Sequence, residues 1–341
     1  MSQAYSTLSG WLIPFSRAMK ARGIDPEQAF SDCEINTCEL KDQETRLAAD
    51  KLAQLMRYCN KKINNNDFSV EIAKHFYPGM FHALGYAMMS SNTLYDAYER
   101  IARYKRIVSN SCLLTVKESD DQLIFDMDIF HYEDSGRPAL SDPLIEAFLA
   151  TMVSFGRELV GLEIAPVCVK LTRSAGKQSN QYLEDFFGAP VKFEADFNGF
   201  VFERSIADAK LMVGNPLITQ VHEQILDDLL SRIDRNDLIY QIKNKIYEQL
   251  PMGAPSQQQM ATDLGMSLRN LQRKLHEKDT GYKELLEATR RRLALDYLTQ
   301  QHLSFSEISY LVGFSSVANF HRAFKRWTGK TPGEYRIEMH I

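Results

Sequence analysis

A unit that occurs twice near the C-terminal end constrains this chain more than any other feature. Ala261-Thr-Asp-Leu264-Gly265-Met266-Ser267, followed by Leu271 and Leu275, is matched by Ile308-Ser-Tyr-Leu311-Val-Gly313-Phe314-Ser315, followed by Phe320 and Phe324. Each copy reads as a short helix with one apolar face, a glycine where a tight turn needs a left-handed backbone, a serine able to N-cap, and a second helix. The pattern therefore predicts two helix-turn-helix units. Between them, Tyr282 to Gln300 keeps helical character. A rod of about 18 residues at about 1.5 Å each spans about 27 Å, enough to place two recognition helices in successive major grooves about 34 Å apart.

The second helix of each copy has a face left over once the core is assigned. Leu271 and Leu275 point inward, which leaves Arg269, Gln272, Arg273 and His276 outside. Arginine bonds guanine bidentately and glutamine bonds adenine, while Lys274 and Lys278 suit phosphates. In the second copy Phe320 and Phe324 supply the core stripe. Asn319 and Arg322 can read bases, Val317 and Ala318 can meet thymine methyls, and Lys325 and Arg326 can meet the backbone.

The total charge of −4 conceals a division along the chain. From Pro255 to Ile341 there are 13 Lys and Arg against 9 Asp and Glu, a net of +4 that leaves −8 for the remainder. An acidic body with a basic tail domain suits a protein of which one part meets a polyanion. A length of 341 residues fits two domains, and 44% hydrophobic with 25% charged residues is ordinary globular composition. We place the domains at 1–235 and 236–341.

Ahead of the repeat the pattern is mixed. Leu47, Leu52, Leu55 and Met56, then Leu94, Ala97, Ile101 and Tyr104, recur at helical spacing. Leu113, Thr115 and Val116, then Leu123, Phe125, Met127 and Ile129, flank Glu118-Ser-Asp-Asp121 and predict a β-hairpin. Asp142 as N-cap with Pro143 starts a helix to about Gly161. Val167–Leu171 and Gly199–Phe202 read as strands around a short helix from Tyr182 to Phe187. Helices follow from Pro216 through Leu230 and from Asp237 to Leu250, the latter with Ile239, Ile242 and Ile246 on one face. The fold class is thus an α+β N-terminal domain followed by an all-α C-terminal domain with two helix-turn-helix units joined by a linker helix.

Several function classes are excluded or disfavoured. There is no Gly-x-Ser-x-Gly, phosphate loop, dinucleotide fingerprint or His-Glu-x-x-His, so no enzyme and no cofactor are expected. No apolar run approaches the roughly 20 residues of a membrane span, and Trp11–Phe15 lacks the features of a cleaved leader, so a cytoplasmic location is expected. Cys33, Cys38, Cys59, Cys112 and Cys168 are scattered and read as reduced structural thiols. His75 and His82, with Cys59 or His131, have metal-ligand chemistry but read as isolated histidines.

Ile308-Ser-Tyr-Leu-Val-Gly-Phe-Ser-Ser-Val-Ala-Asn-Phe-His-Arg-Ala-Phe-Lys-Arg-Trp-Thr-Gly-Lys-Thr-Pro-Gly-Glu-Tyr-Arg336 resembles the signature of the AraC/XylS family of transcription regulators almost residue for residue. The resemblance implies base contacts from Arg269, Gln272 and Arg273 in the first unit and from Val317, Ala318, Asn319 and Arg322 in the second. Gly329, Pro332 and Tyr335 match too, in the role of ending and packing the last helix. Pro78-Gly79, Leu84-Gly85-Tyr86, Ser90-Ser91, Thr93-Leu94 and Ala97, then Phe187-Gly-Ala-Pro-Val191 and Phe193, are similar to the "arabinose-binding" sensor domain of one AraC subgroup. That name does not establish arabinose as ligand.

The resemblance implies an activator that binds promoter DNA and RNA polymerase, senses a small-molecule effector and forms a homodimer. The alternative is a ligand-independent regulator whose N-terminal domain serves dimerisation or protein contact. For the effector, Tyr86 and Met89 are candidate lining in a segment dense in aromatics and methionines. Tyr104, Lys105 and Arg106 are candidates for holding a carboxylate at the rim; core packing and a solvated helix end explain these residues equally well.

Overall fold

The computed structural model describes residues 5–37, 45–119, 121–132, 135–161, 164–176, 179–236, 238–278, 280–298 and 303–339. Cys38 and Gln300 lie outside them. The chain divides into two compact units, Gln3–Leu230 and Ser231–Ile341. The cut expected after residue 235 falls in the last turn of a helix that runs across this division.

In the first unit the helices are α1 (Leu12–Ala21), α2 (Pro26–Asp32), α3 (Ala49–Ile63), α4 (Phe68–Lys74), α5 (Ala83–Met89), α6 (Leu94–Val108), α7 (Asp142–Val160), α8 (Gln181–Phe187), α9 (Arg204–Ala207) and α10 (Pro216–Asn236), the helix that crosses the division. β1 (Ser6–Leu8) pairs antiparallel with β2 (Arg46–Ala48). β3 (Cys112–Glu118), β4 (Gln122–Ile129), β5 (Cys168–Lys170), β6 (Val191–Lys192) and β7 (Asn198–Glu203) form a sheet of order β3-β4-β7-β5-β6, parallel at β5/β6 alone.

The hairpin forms where the alternation places it, with Leu123, Phe125, Met127 and Ile129 buried. On β3 the inward parity differs from the expected one. Cys112 and Leu114 are buried and Leu113 is exposed, because Cys112 pairs with Ile129 and Leu114 with Met127, and directly opposed residues share a face. Phe125 stacks on Phe200 at 4.8 Å, and the fully buried Tyr98 donates its hydroxyl to the Met152 carbonyl at 3.1 Å.

Capping chemistry sets the helix ends. Thr93 and Asp96 close a capping box at the start of α6, which buries Leu94, Ala97, Ile101 and Tyr104. Leu47, expected on a helix, lies instead on β2, since α3 starts at Ala49. α7 starts one residue earlier in its cap than expected: Ser141 is the N-cap and Asp142 already belongs to the first turn. Gly161 ends α7 in the left-handed region at φ +71°. Glu146 of α7 is buried and accepts from Ser69 of α4, Tyr182 of α8 and Arg173, so one desolvated carboxylate ties three elements together.

The second unit is all helical among its described residues: α11 (Leu238–Gln249), α12 (Gln257–Asp263), α13 (Leu268–His276), α14 (Tyr282–Leu298), α15 (Phe305–Leu311), α16 (Val317–Thr328) and α17 (Pro332–Met339). Ile239, Ile242 and Ile246 of α11 are buried as their spacing requires, in one core with Leu271, Leu275, Phe320 and Phe324.

Candidate nucleic-acid interface

The first helix-turn-helix is α12 and α13. Ser256 caps α12 by accepting from the Gln259 amide at 3.1 Å. Gly265 makes the turn at φ +65°, and Ser267 caps α13 by accepting from the Asn270 amide at 3.2 Å. With Leu271 and Leu275 buried, Arg269, Gln272, Arg273 and His276 stand exposed on the far side. Lys274 and Lys278 are exposed beside that face.

The second unit is α15 and α16. Ser304 and Glu307 form a capping box on α15, and Gly313 turns the chain at φ +75°. The cap of α16 is Ser316, which accepts from the Asn319 amide at 3.3 Å, not Ser315. Its turn is therefore one residue longer than the first, and both serines carry the right hydroxyl. Counted from the caps, the core residues coincide: Leu271 with Phe320 and Leu275 with Phe324. Ala318, Asn319, Arg322, Lys325 and Arg326 are exposed, and Val317 is half-buried. His321 occupies the place that Gln272 holds in the first unit, but it lies edge-on against Phe305 at 5.8 Å, with its Nε2 buried.

α14 fixes these two units to each other. At its start the buried Tyr282 donates to the Pro255 carbonyl at 2.6 Å, beside the entry to α12; burial pushes this hydroxyl up to about 12, so it stays a donor at neutral pH. Further along, Arg290 donates to the Val312 carbonyl at 3.0 Å and to the Gly313 carbonyl at 2.5 Å, with its guanidinium 4.3 Å above the Phe314 ring. Those carbonyls end α15, where a cation is favoured. Glu287 of α14 pairs with Arg326 of α16 at 3.0 Å. None of these linker contacts was read from the sequence; their residues are separated by 22 or more positions, apart from spacing no local pattern reveals.

The proposed phosphate contacts are unequal. Lys274, Lys278 and Lys325 are exposed, whereas Arg326 is engaged with Glu287. Arg273 is likewise paired with Glu277, one turn further along α13.

The five candidate effector residues are not brought together. Tyr86 is 50% exposed and stacks on His222 at 5.6 Å, and Met89 is half-buried. Tyr104 is buried with its hydroxyl donating to Asp227 at 2.8 Å; Arg106 is half-buried. Lys105 faces elsewhere: it is 5% exposed and borders a small pocket of about 50 Å³ walled by Trp11, Phe15, Ile101, Met127 and Phe148. Neighbours on a helix point about 100° apart, so Tyr104 and Lys105 serve different surroundings. Cys33, Cys59, Cys112 and Cys168 are buried free thiols, and burial pushes Cys59 up to about 12.

Residues 23–211 match the family described as the arabinose-binding domain of AraC transcription regulators, N-terminal part. This chain belongs to the AraC family of transcription regulators. Residues 260–337 match a helix-turn-helix domain, the segment containing both units. Among AraC-type relatives, an "Ornithine utilization regulator" of Pseudomonas aeruginosa is 30% identical over 253 residues, 74% of this chain and 73% of that protein. The "HTH-type transcriptional regulator VirS" of Mycobacterium tuberculosis is 24% identical over 94% of both chains. The crystal structure of the transcriptional regulator CdpR from Pseudomonas aeruginosa aligns over 95% of this chain and 96% of that one, at 20% identity and a TM-score of 0.47. The chain is a DNA-binding transcription regulator of AraC type and not an enzyme. No helix among the described residues is long and apolar enough to cross a membrane.

Proposed function

We propose that this regulator activates transcription by reading promoter DNA with α13 and α16, under control of a small molecule held in the N-terminal unit. The observation that carries the reading is the mounting of two capped recognition helices on one linker, by Tyr282 at one end and Arg290 and Glu287 along it. Arg269, Gln272 and Arg273 contact bases from the first helix, and Val317, Ala318, Asn319 and Arg322 from the second. Lys274, Lys278, Lys325 and Arg326 contact phosphates, Arg326 after exchanging Glu287 for the backbone. RNA polymerase and a second copy of the chain are the protein partners, in the cytoplasm.

Gel-shift titration of the cognate promoter at fixed salt tests this. Arg273→Ala and Arg322→Ala should each cost about 1–3 kcal/mol of affinity. Binding as tight as wild type by both variants would sink the assignment.

For the effector, the Lys105 cavity is the favoured site. About 50 Å³ is far below the roughly 300–1,000 Å³ of drug-sized ligand sites, and the lining is mostly apolar, so the ligand has few heavy atoms and an apolar body. The cavity lining includes no Asp or Glu, which argues against carrying ornithine over from the relative's name. A true ligand at 100 times its dissociation constant should stabilise the protein by about 2.7 kcal/mol in a thermal-shift screen.

One observation favours the ligand-independent alternative. α10 exposes Leu217 (75%), Ile218, Val221 and Ile225, an apolar stripe suited to another protein surface. A flat thermal-shift response together with a stable dimer in sedimentation would select it.

A further inference from the structure

The two recognition helices share a side-chain pair whose mutual hydrogen bond neither the core pattern nor the base-reading assignment requires. Three residues after its cap, each carries an asparagine, Asn270 in α13 and Asn319 in α16. Three residues further on stands an arginine, Arg273 and Arg322. In both helices the arginine Nη2 donates to the asparagine Oδ1, at 3.0 Å in the first and 2.5 Å in the second.

The asparagine position is also informative. It is the place from which an acidic side chain reaches back to close a capping box. Glu307 does so on α15 and Asp96 on α6, and Glu334 accepts from the Thr331 amide in the same way before α17. In α13 and α16 the residue is neutral, and its carbonyl is turned forward onto an arginine instead. An acid there would stand beside DNA phosphates and repel them; an asparagine avoids that charge and restricts the rotamers of a long side chain that otherwise loses much entropy on binding.

Resting on the DNA-reading proposal above, and refining it at Asn319, which acts through Arg322 instead of touching a base itself, we infer that Asn270 and Asn319 are positioning residues that hold Arg273 and Arg322 in like geometry, so that the operator carries the same base, a guanine, at the equivalent position of its two boxes. The reason is that a pre-oriented guanidinium presents its bidentate fork in a fixed direction, and guanine N7 and O6 are the acceptors that match it in the major groove. Two helices with the same asparagine–arginine pair at the same distance from their caps offer the same reader twice. The flanking positions differ, Arg269 against Ala318 and Gln272 against His321, so the boxes agree at that guanine and diverge around it.

Selection of bound duplexes from a randomised library with the full-length protein tests the inference. The wild type should enrich two boxes about one helical turn apart, each with one guanine far more constrained than its neighbours. Asn270→Ala should relax the guanine preference in one box by about tenfold, and Asn319→Ala in the other, with the thermal midpoint of both variants within a degree of wild type. Loss of a merely structural contact would lower that midpoint and weaken all sequences alike, leaving base preference intact. Two enriched boxes without a shared guanine, or asparagine variants with unchanged preference, would overturn the inference while leaving DNA reading in place. Enrichment of no motif at all would instead remove the DNA-reading proposal on which it rests.

Discussion

The first helix-turn-helix is packed with aliphatic side chains around an open turn, and the second with aromatic ones around a turn pressed against its neighbours. Leu271 and Leu275 share the core with Met260 and Ala261 in the one; in the other, Phe314 lies against Phe320 and Trp327, and Phe324 is edge-on to Tyr335 at 5.5 Å. The recognition faces are inverted in character: polar in α13, with small apolar residues at the start of α16. The unit proposed to read with fewer charges is thus the one with the aromatic core.

The largest expected effect follows from that packing. Phe324→Ala removes a fully buried ring from an aromatic cluster and should lower the stability of the C-terminal unit by about 3–5 kcal/mol. Leu275→Ala should fall toward the low end of about 2–5 kcal/mol, because an aliphatic core with partly buried members can close in more readily than a set of packed rings. Urea unfolding of both variants decides the matter, and an equal loss would break the comparison.

The turns give the next contrast. An alanine at 265 would meet nothing within 4 Å, so Gly265→Ala should cost only the left-handed backbone term of about 1–2 kcal/mol. A Cβ at 313 would stand 2.6 Å from Leu250 Cδ2 and 3.1 Å from the Leu250 carbonyl oxygen. Gly313→Ala should therefore exceed Gly265→Ala clearly in the same unfolding measurement. Matching values would mean that the second turn yields as readily as the first.

The smallest effect concerns charge. Arg273 shares its guanidinium between Asn270 and Glu277, while Arg322 has no acid at the matching place, where Arg326 stands instead. Glu277→Gln leaves Arg273 held by Asn270 alone and removes a negative charge beside it, so promoter affinity should rise about twofold, the scale of an exposed helical ion pair. A weaker complex in a salt-matched gel shift would show that Glu277 helps to aim the arginine.

Much of this site was legible in the sequence because its signals are local. Glycine at the turns, serine at the caps and apolar residues four apart each act within one or two helical turns, so the roles of Gly265, Gly313, Leu271 and Phe320 are legible from local pattern alone. The Asn-x-x-Arg spacing is equally visible in both copies, but the sequence alone marks Arg273, Asn319 and Arg322 as outward-facing polar residues without showing that each asparagine bonds its arginine.

By itself the sequence determined the two-part plan, the mixed first unit, the tandem helices and the identity of their outward side chains, because periodicity and capping depend on near neighbours along the chain. The tertiary structure alone decided which of two adjacent serines caps α16, which parity of β3 faces inward, and that Lys105 rather than Tyr104 borders a cavity. It also decided that Arg290 grips the second turn and that Arg326 is held by Glu287. These depend on how an element is rotated and what is packed against it, and those are set by residues far away in sequence, where no local spacing carries the information.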